Sequence, residues 1–369
     1  MCGRAKRLIG KMILACLVAE GILACDRTIH EYPRSTDVVV LVELNADRTP
    51  PVYYKGLNYN EKGEYFEEEL TPEPSRAYVP DERLCTRFVV ELYRLPSASA
   101  TVDKGLLYER REIVADRLAQ PPQDTLAFHV PEGYYRVLAW GDYAPETQAG
   151  DWHYDTHRLN AVKEHVDQTL KVNHHKNSAA GSCDFSVTPN RRGNEVSVGI
   201  VGNLASITPA GDPIVTVHME RPSGRFRLWA TDLEEFSKKR ALSVNDLQIK
   251  IVYKQYVSVG YNVETSTLNA FIESRDMDMT PVTVADDGSL LLAYDYVLTD
   301  DGREDHVLID VFVYDENGDE VNHYQNIDVP LYRNRETVLR GPFLTQNVGS
   351  GDIGIDDGFD DEFVVVIPD

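Results

Sequence analysis

The chain has 369 residues, with 60 acidic residues against 37 lysines and arginines and a formal net charge of -23. This length predicts two domains, since about 150 residues per domain is usual, and a hydrophobic content of 42% excludes a wholly disordered chain. The acidic charge argues against nucleic acid as a partner and against electrostatic docking to anionic lipid, because both need clustered lysine and arginine.

The first 25 residues have the pattern of an export signal. Four basic residues precede an apolar run from Met12 to Ala24, which ends at Cys25. The run is interrupted by Glu20 and is shorter than the roughly 20 apolar residues that a membrane span needs. The junction at residues 22–25 resembles a bacterial lipoprotein box, in which the signal is cut between Ala24 and Cys25 and Cys25 carries the lipid. An ordinary signal peptide with an incidental cysteine is the alternative. We predict a signal peptide over residues 1–24 and a lipidated linker over residues 25–36.

The first half of the remaining sequence is typical of strands joined by turns. Short segments rich in Val, Ile, Tyr and Phe are bounded by Gly, Pro, Asn and Asp. We predict strands at 38–44, 88–95, 125–130 and 134–140. The last two are predicted to form a hairpin closed by Pro131-Glu132-Gly133. Residues 45–82 are predicted to be a strand-poor excursion of the first domain, and residues 145–195, including Asn173-His174-His175-Lys176-Asn177, to be polar and irregular.

The second half repeats this pattern. A strand at 214–219 leads through Pro222-Ser223-Gly224 into another at 225–231, and a short surface helix is predicted at 233–239. Further strands are predicted at 248–256, 289–298, 306–314 and 321–330. Three hairpin signals separate them, namely Asp287-Gly288, Asp301-Gly302 and Asn317-Gly318. Many strands with little helix indicate β-sandwiches rather than a parallel α/β sheet. We place the domains at 37–207 and 208–369.

Candidates for catalysis or metal binding are weak. His153 and His157 have the spacing of two zinc ligands on one helix face, but Tyr154 stands where the zincin pattern has Glu. The acidic tail at 352–362 lacks oxygen ligands at the positions that a calcium loop requires. We therefore expect no enzyme, no metal and no cofactor. Cys85 and Cys183 are either a disulfide or two free thiols.

Four stretches resemble the fimbrillin-like proteins of type V fimbriae, and more narrowly their lipoprotein minor and anchor subunits. The stretches are the Cys25-Asp26 junction, the segment 130–141 with its Pro-Glu-Gly-Tyr-Tyr turn and Ala-Trp end, the segment 220–226, and the segment 329–345 with its Arg-Asn and Thr-Val-Leu-Arg-Gly elements. Together they span nearly the whole chain.

The resemblance implies an all-β fold with two tandem transthyretin-like (Greek-key) β-sandwich domains after the lipoprotein signal peptide. It also implies assembly by strand exchange, in which a strand of one subunit completes a sheet of the next. The implied partners are other fimbrial subunits and the outer membrane, reached through the N-terminal lipid at the cell surface. A host or bacterial surface ligand stays unknown. In polymerising members a protease cuts after an arginine and removes the first strand, and Arg34 and Arg48 are the candidates here.

The C-terminal segment 359–367 is a strong β-former fenced by acidic residues. It is either the last strand of the second sandwich or a donor strand for a neighbouring subunit, in which case the donor residues are Phe363, Val364, Val365, Val366 and Ile367. We predict a structural and adhesive fimbrial subunit, a minor or anchor component. The alternative is a surface lipoprotein, not fimbrial, that binds glycans through exposed aromatic residues.

Overall fold

The computed structural model describes residues 38–46, 51–68, 84–115, 125–145, 152–166, 176–189, 196–199, 204–207, 213–240, 243–279 and 283–346. These residues form an all-β structure, which confirms the predicted fold class. The predicted surface helix is also present, as α1 (Leu233–Lys239).

The strands lie in five sheets. In chain order they are β1 (Val38–Ala46), β2 (Val52–Tyr59), β3 (Tyr65–Glu68), β4 (Leu84–Leu95), β5 (Leu106–Ala115), β6 (Thr125–Val130), β7 (Gly133–Pro145), β8 (Tyr154–Asp155), β9 (Val162–Glu164), β10 (Ala179–Pro189), β11 (Val196–Gly199), β12 (Leu204–Ile207), β13 (Pro213–Met219), β14 (Ser223–Ala230), β15 (Gln248–Tyr253), β16 (Val257–Asn262), β17 (Thr267–Ile272), β18 (Arg275–Met279), β19 (Thr283–Val284), β20 (Leu290–Leu298), β21 (Glu304–Tyr314), β22 (Glu320–Tyr332) and β23 (Arg335–Gly341).

The first sandwich pairs a four-stranded sheet, in the order β12-β13-β1-β6, with a five-stranded sheet, β11-β10-β7-β4-β5. Alternate residues of the strands point between the two sheets, as the two-residue period of a strand requires. The resulting core is formed by buried residues such as Val40, Val42, Phe88, Val90, Phe128, Val137, Phe185 and Val217.

The second sandwich pairs a six-stranded sheet, in the order β19-β20-β14-β23-β2-β3, with a four-stranded sheet, β18-β15-β21-β22. Its core includes the buried residues Leu57, Phe226, Leu228, Ile251, Leu292, Ile309, Val311, Leu339 and Phe343. A fifth sheet, β17-β16-β9-β8, draws two strands from each half of the chain. It packs against the outer face of the first sandwich around Trp140, Tyr154, Leu159, Val162 and Tyr261. The two halves are therefore joined by a shared apolar cluster.

Two segments lie in a different sandwich from the one predicted. The excursion at 45–82 does not stay with the first domain, because β2 pairs in parallel with β23 and carries β3 into the six-stranded sheet. Conversely, β13 pairs in parallel with β1 in the first sandwich, so the predicted connection from 214–219 to 225–231 joins two different sheets. The division into domains 37–207 and 208–369 stays a prediction, and these two segments cross it.

The turn predictions have a mixed outcome. Asp287-Gly288 and Asn317-Gly318 close the hairpins β19–β20 and β21–β22, with both glycines at a φ of 82° that other residues resist. The hairpin predicted at Pro131-Glu132-Gly133 is wrong, because β6 and β7 lie in opposite sheets of the first sandwich. Asp301-Gly302 likewise leads from β20 in one sheet to β21 in the other. A turn sequence specifies that the chain reverses, but it does not specify which strands pair afterwards.

Candidate functional site

The first strand is the element on which the predicted assembly function depends. β1 lies in the middle of its sheet, parallel to β13 from Leu41↔Ile214 to Ala46↔Met219 and antiparallel to β6 from Val38↔Val130 to Glu43↔Thr125. It therefore has main-chain partners along both sides. Removing it would open a groove between two strands that no longer have a neighbour on that side.

The side chains of β1 explain how strongly it is held. Val40, Val42 and Leu44 point inward and are at most 1% exposed, whereas Glu43 points outward and accepts a hydrogen bond from the Thr216 hydroxyl at 3.1 Å. Complete burial of each apolar side chain contributes about 1.5–3 kcal/mol. A strand that replaced β1 would therefore need apolar residues at every second position to fill the same places.

One of the predicted processing sites follows β1 closely in the sequence. Arg48 falls between Ala46, the last residue of β1, and Val52, the first residue of β2, and only residues 47–51 separate the two strands. Arg48 lies outside the described residues, as do Ala24, Cys25, Arg34 and the segment Phe363-Val364-Val365-Val366-Ile367. These site residues stay predictions.

A buried polar cluster lies where the two halves meet. We call it the junction cluster, and its members are Glu164, Lys176, Tyr253, Arg275 and Asp295. The Lys176 ammonium lies 2.8 and 3.0 Å from the two carboxylate oxygens of Asp295 and 3.0 Å from Oε1 of Glu164. Arg275 approaches the same Glu164 oxygen to 2.6 Å, and the Tyr253 hydroxyl donates to Asp295 at 2.7 Å. Two cations thus balance two carboxylates.

The side chains of Lys176, Glu164 and Asp295 are each at most 3% exposed, so their charges are compensated almost entirely by one another. Burial raises the pKa of Glu164, but the contacts with Lys176 and Arg275 outweigh it and hold that pKa below its ordinary value. Burial also raises the pKa of Tyr253, and the neighbouring Asp295 raises it further. At neutral pH Glu164 is therefore a carboxylate and Tyr253 is a proton donor.

The local sequence patterns do not point to this cluster as a whole. The polar segment at 173–177 gives no sign that Lys176 is buried, whereas Asp295 stands alone in the apolar strand Leu290–Leu298. An acidic residue in a strand with every residue buried needs a partner, and that was the available signal.

The weaker candidates do not assemble into a site. Tyr154–Asp155 is a strand, so His153 and His157 do not share a helix face as the zinc pattern requires. Within the described ranges, no group of three or more His, Cys, Asp or Glu residues could hold a metal ion. Cys85 and Cys183 are both free thiols, and burial raises the pKa of Cys183 to about 12. None of the helices in the described part of the chain is long and apolar enough to cross a membrane.

Comparisons with known proteins give structural neighbours and a family. The structure is similar to the fimbrial anchor protein Mfa2 from Porphyromonas gingivalis, with 12% identity, a TM-score of 0.33 and coverage of 78% of this chain and 82% of that one. It is also similar to a candidate adhesin from Bacteroides ovatus, with 16% identity, a TM-score of 0.38 and coverage of 82% and 89%. A candidate cell adhesion protein from Bacteroides eggerthii gives 10% identity, a TM-score of 0.38 and coverage of 85% and 90%.

The sequence has no match among curated proteins. Residues 64–368 match the model of a family of unknown function, DUF6562, and because this match spans more than half of the sequence, the chain belongs to that family.

Proposed function

We propose that this chain is a structural and adhesive subunit of a cell-surface fimbria, held in the outer membrane by a lipid on Cys25. Within the fimbria it is a minor or anchor component, and its partners are other fimbrial subunits. The observation that carries the proposal is the position of β1. It is an extended segment between two strands, with three buried apolar side chains, and a candidate processing site follows it two residues later in the sequence.

Such a position suits β-strand complementation. A replacing strand would regain the main-chain hydrogen bonds of β13 and β6, and its alternate side chains would fill the places of Val40, Val42 and Leu44. A cut after Arg48 would separate β1 from the chain and leave β2 paired with β23. A cut after Arg34 would release the protein from its lipid and keep β1 covalently attached.

The lipid attachment predicts a simple loss of labelling. Cys25→Ser removes the thiol that would carry the acyl chain, so incorporation of labelled fatty acid should fall to background. Cys85→Ser is the matched control, because the Cys85 thiol is buried in β4 and cannot carry the lipid. The Cys85→Ser variant should therefore incorporate as much labelled fatty acid as the wild type. Unchanged labelling of Cys25→Ser would contradict the lipid anchor.

Immunogold labelling of intact cells should place the wild type on filaments or at their bases, whereas even labelling of the membrane would favour the glycan-binding alternative.

Strand exchange predicts that β1 can be replaced after cleavage. An arginine-specific protease should cut the folded protein after Arg34 and after Arg48 and leave residues 35–48 bound without a covalent link. A peptide of residues 359–367 should then displace that fragment, measured by mass spectrometry of the complex after size-exclusion chromatography. Arg48→Lys, which keeps the charge but resists the protease, should keep residues 35–48 covalently attached, so the peptide should release no fragment from this variant. Failure of the peptide to displace the fragment from the cut protein would contradict its role as a donor strand.

A further inference from the structure

We propose that Lys176 and Asp295 condense inside the folded protein to form an amide bond, with Glu164 as the group that transfers the proton. The bond is a covalent cross-link between the two halves of the chain. It does not depend on the proposed fimbrial function, because it follows from the junction cluster alone.

The reacting atoms already lie next to each other. The Lys176 nitrogen contacts both oxygens of Asp295, at 2.8 and 3.0 Å, so it faces the carboxyl carbon that joins them. A nucleophile held in this way reacts as part of one molecule, which removes much of the entropic barrier of a condensation. Lysine amines act as covalent nucleophiles when burial and a neighbouring base free their lone pair.

Each further part of the reaction has a group in place. Glu164 lies 3.0 Å from the Lys176 nitrogen and is positioned to accept its proton. The backbone N–H of Tyr296 donates to Oδ1 of Asp295 at 2.8 Å, where negative charge develops when the amine attacks. The Tyr253 hydroxyl donates to Oδ2 at 2.7 Å and so assists the departure of that oxygen. Arg275, at 2.6 Å from Glu164, keeps Glu164 a carboxylate until it accepts the proton.

The reaction balances without a co-reactant. The ammonium of Lys176 gives one proton to Glu164, and the free amine attacks the Asp295 carboxyl carbon to form the C–N bond. The bond from that carbon to Oδ2 then breaks. This oxygen leaves as water, with the proton returned by Glu164 and a second proton from the same nitrogen. The amide nitrogen keeps one hydrogen, and nothing is oxidised or reduced.

Burial favours the amide over the ion pair. A buried ion pair bears the cost of removing two charges from water, and the neutral amide removes both charges from the interior. The three side chains are at most 3% exposed, so bulk water has little access to reverse the condensation. The bond would join a residue just before β10 to the middle of β20 and thereby fix the first sandwich to the second.

Mass spectrometry of the purified full chain tests the proposal. After denaturation, the wild type should be lighter than the Lys176→Arg variant by one water molecule, once the substitution itself is allowed for. Trypsin should fail to cut after Lys176 in the denatured wild type and should give a branched peptide that contains both Lys176 and Asp295. A wild-type chain that carries no such loss and is cut normally after Lys176 would overturn the proposal, whether or not the variants fold.

The Glu164→Gln variant tests the mechanism separately. It keeps the shape of the side chain but cannot accept a proton, so it should give the uncross-linked mass while circular dichroism shows the β-sheet spectrum of the wild type. Lys250→Arg is the matched control, because this lysine is a partly exposed residue of β15 outside the junction cluster, and it should retain the cross-link. A cross-linked Glu164→Gln chain would overturn the role of Glu164.

Discussion

Gly181→Ala is expected to lower the free energy of unfolding by about 3 kcal/mol or more, the upper range for inserting a methyl group into a packed interior. A Cβ atom at this position would lie 2.1 Å from the carbonyl oxygen of His218, 2.9 Å from its carbonyl carbon and 3.1 Å from Cα of Met219. All three atoms belong to the backbone of β13, so no flexible side chain can move aside.

The surroundings fix both strands at this contact. Ala180 and Glu220 exchange two main-chain hydrogen bonds, of 2.8 and 2.9 Å, which join β10 of one sheet to the end of β13 in the other. Any shift that makes room for the methyl group breaks this bridge. Urea unfolding followed by circular dichroism should show a large fall in the midpoint.

The control is the neighbouring residue. Ser182 is exposed on the same strand, and Ser182→Ala should stay within about 0.5 kcal/mol of the wild type, as surface substitutions usually do. A Gly181→Ala variant as stable as Ser182→Ala would mean that the two sheets do not meet at this corner.

The fragment 208–369 is expected not to fold alone and to fold when a peptide of residues 51–68 is added. The fragment lacks β2 and β3, so β23 loses its parallel partner from Val52↔Arg335 to Asn58↔Arg340. It also loses Leu57 and Tyr59 from the core of the second sandwich. Tyr59 packs against Tyr324 and Phe343 and donates a hydrogen bond to the Asp328 carbonyl at 2.9 Å.

The magnitude of the loss supports this expectation. Truncation of a large buried side chain costs about 2–5 kcal/mol. Two such losses and an open sheet edge together approach the whole stability of a typical domain, about 5–15 kcal/mol. Thermal unfolding by calorimetry should show no cooperative transition for the fragment and a peptide-dependent transition in the mixture.

A matched peptide makes this test specific. Leu57→Lys and Tyr59→Lys in the same peptide place charges in the core, so the altered peptide should not restore the transition. Cooperative unfolding of the fragment without any peptide would show that β2 and β3 are dispensable.

The sequence was informative wherever a local rule decides the structure. Segments rich in Val and other β-formers, such as the one at 38–44, were predictable as strands because short runs of these residues between polar or turn-forming residues favour extended backbone. The turns at Gly288 and Gly318 were predictable because few other residues adopt their backbone angles. The helix α1 was predictable as a short surface helix because it is a charged segment within a polar stretch.

Pairing between distant segments was not predictable from such rules. β2 and β3 are rich in tyrosine and glutamate, and nothing local indicates that β2 pairs with a strand near the C-terminus. Likewise, Asp295 indicates a buried acid, but its partner Lys176 lies 119 residues away in a polar segment. Long-range complementarity of this kind is a property of the folded surface and not of either segment alone.

The parallel pairings of β1 with β13 and of β2 with β23 set the order in which the chain can fold. β1 must wait for β13 before the first sandwich closes, and Tyr53 must wait for Glu336 before the six-stranded sheet closes. Contacts this distant in sequence slow folding and leave strand edges open to aggregation in the meantime. The first sandwich is therefore expected to stay incomplete until β13 has been synthesised, and the second until β23 has been, near the end of the described chain.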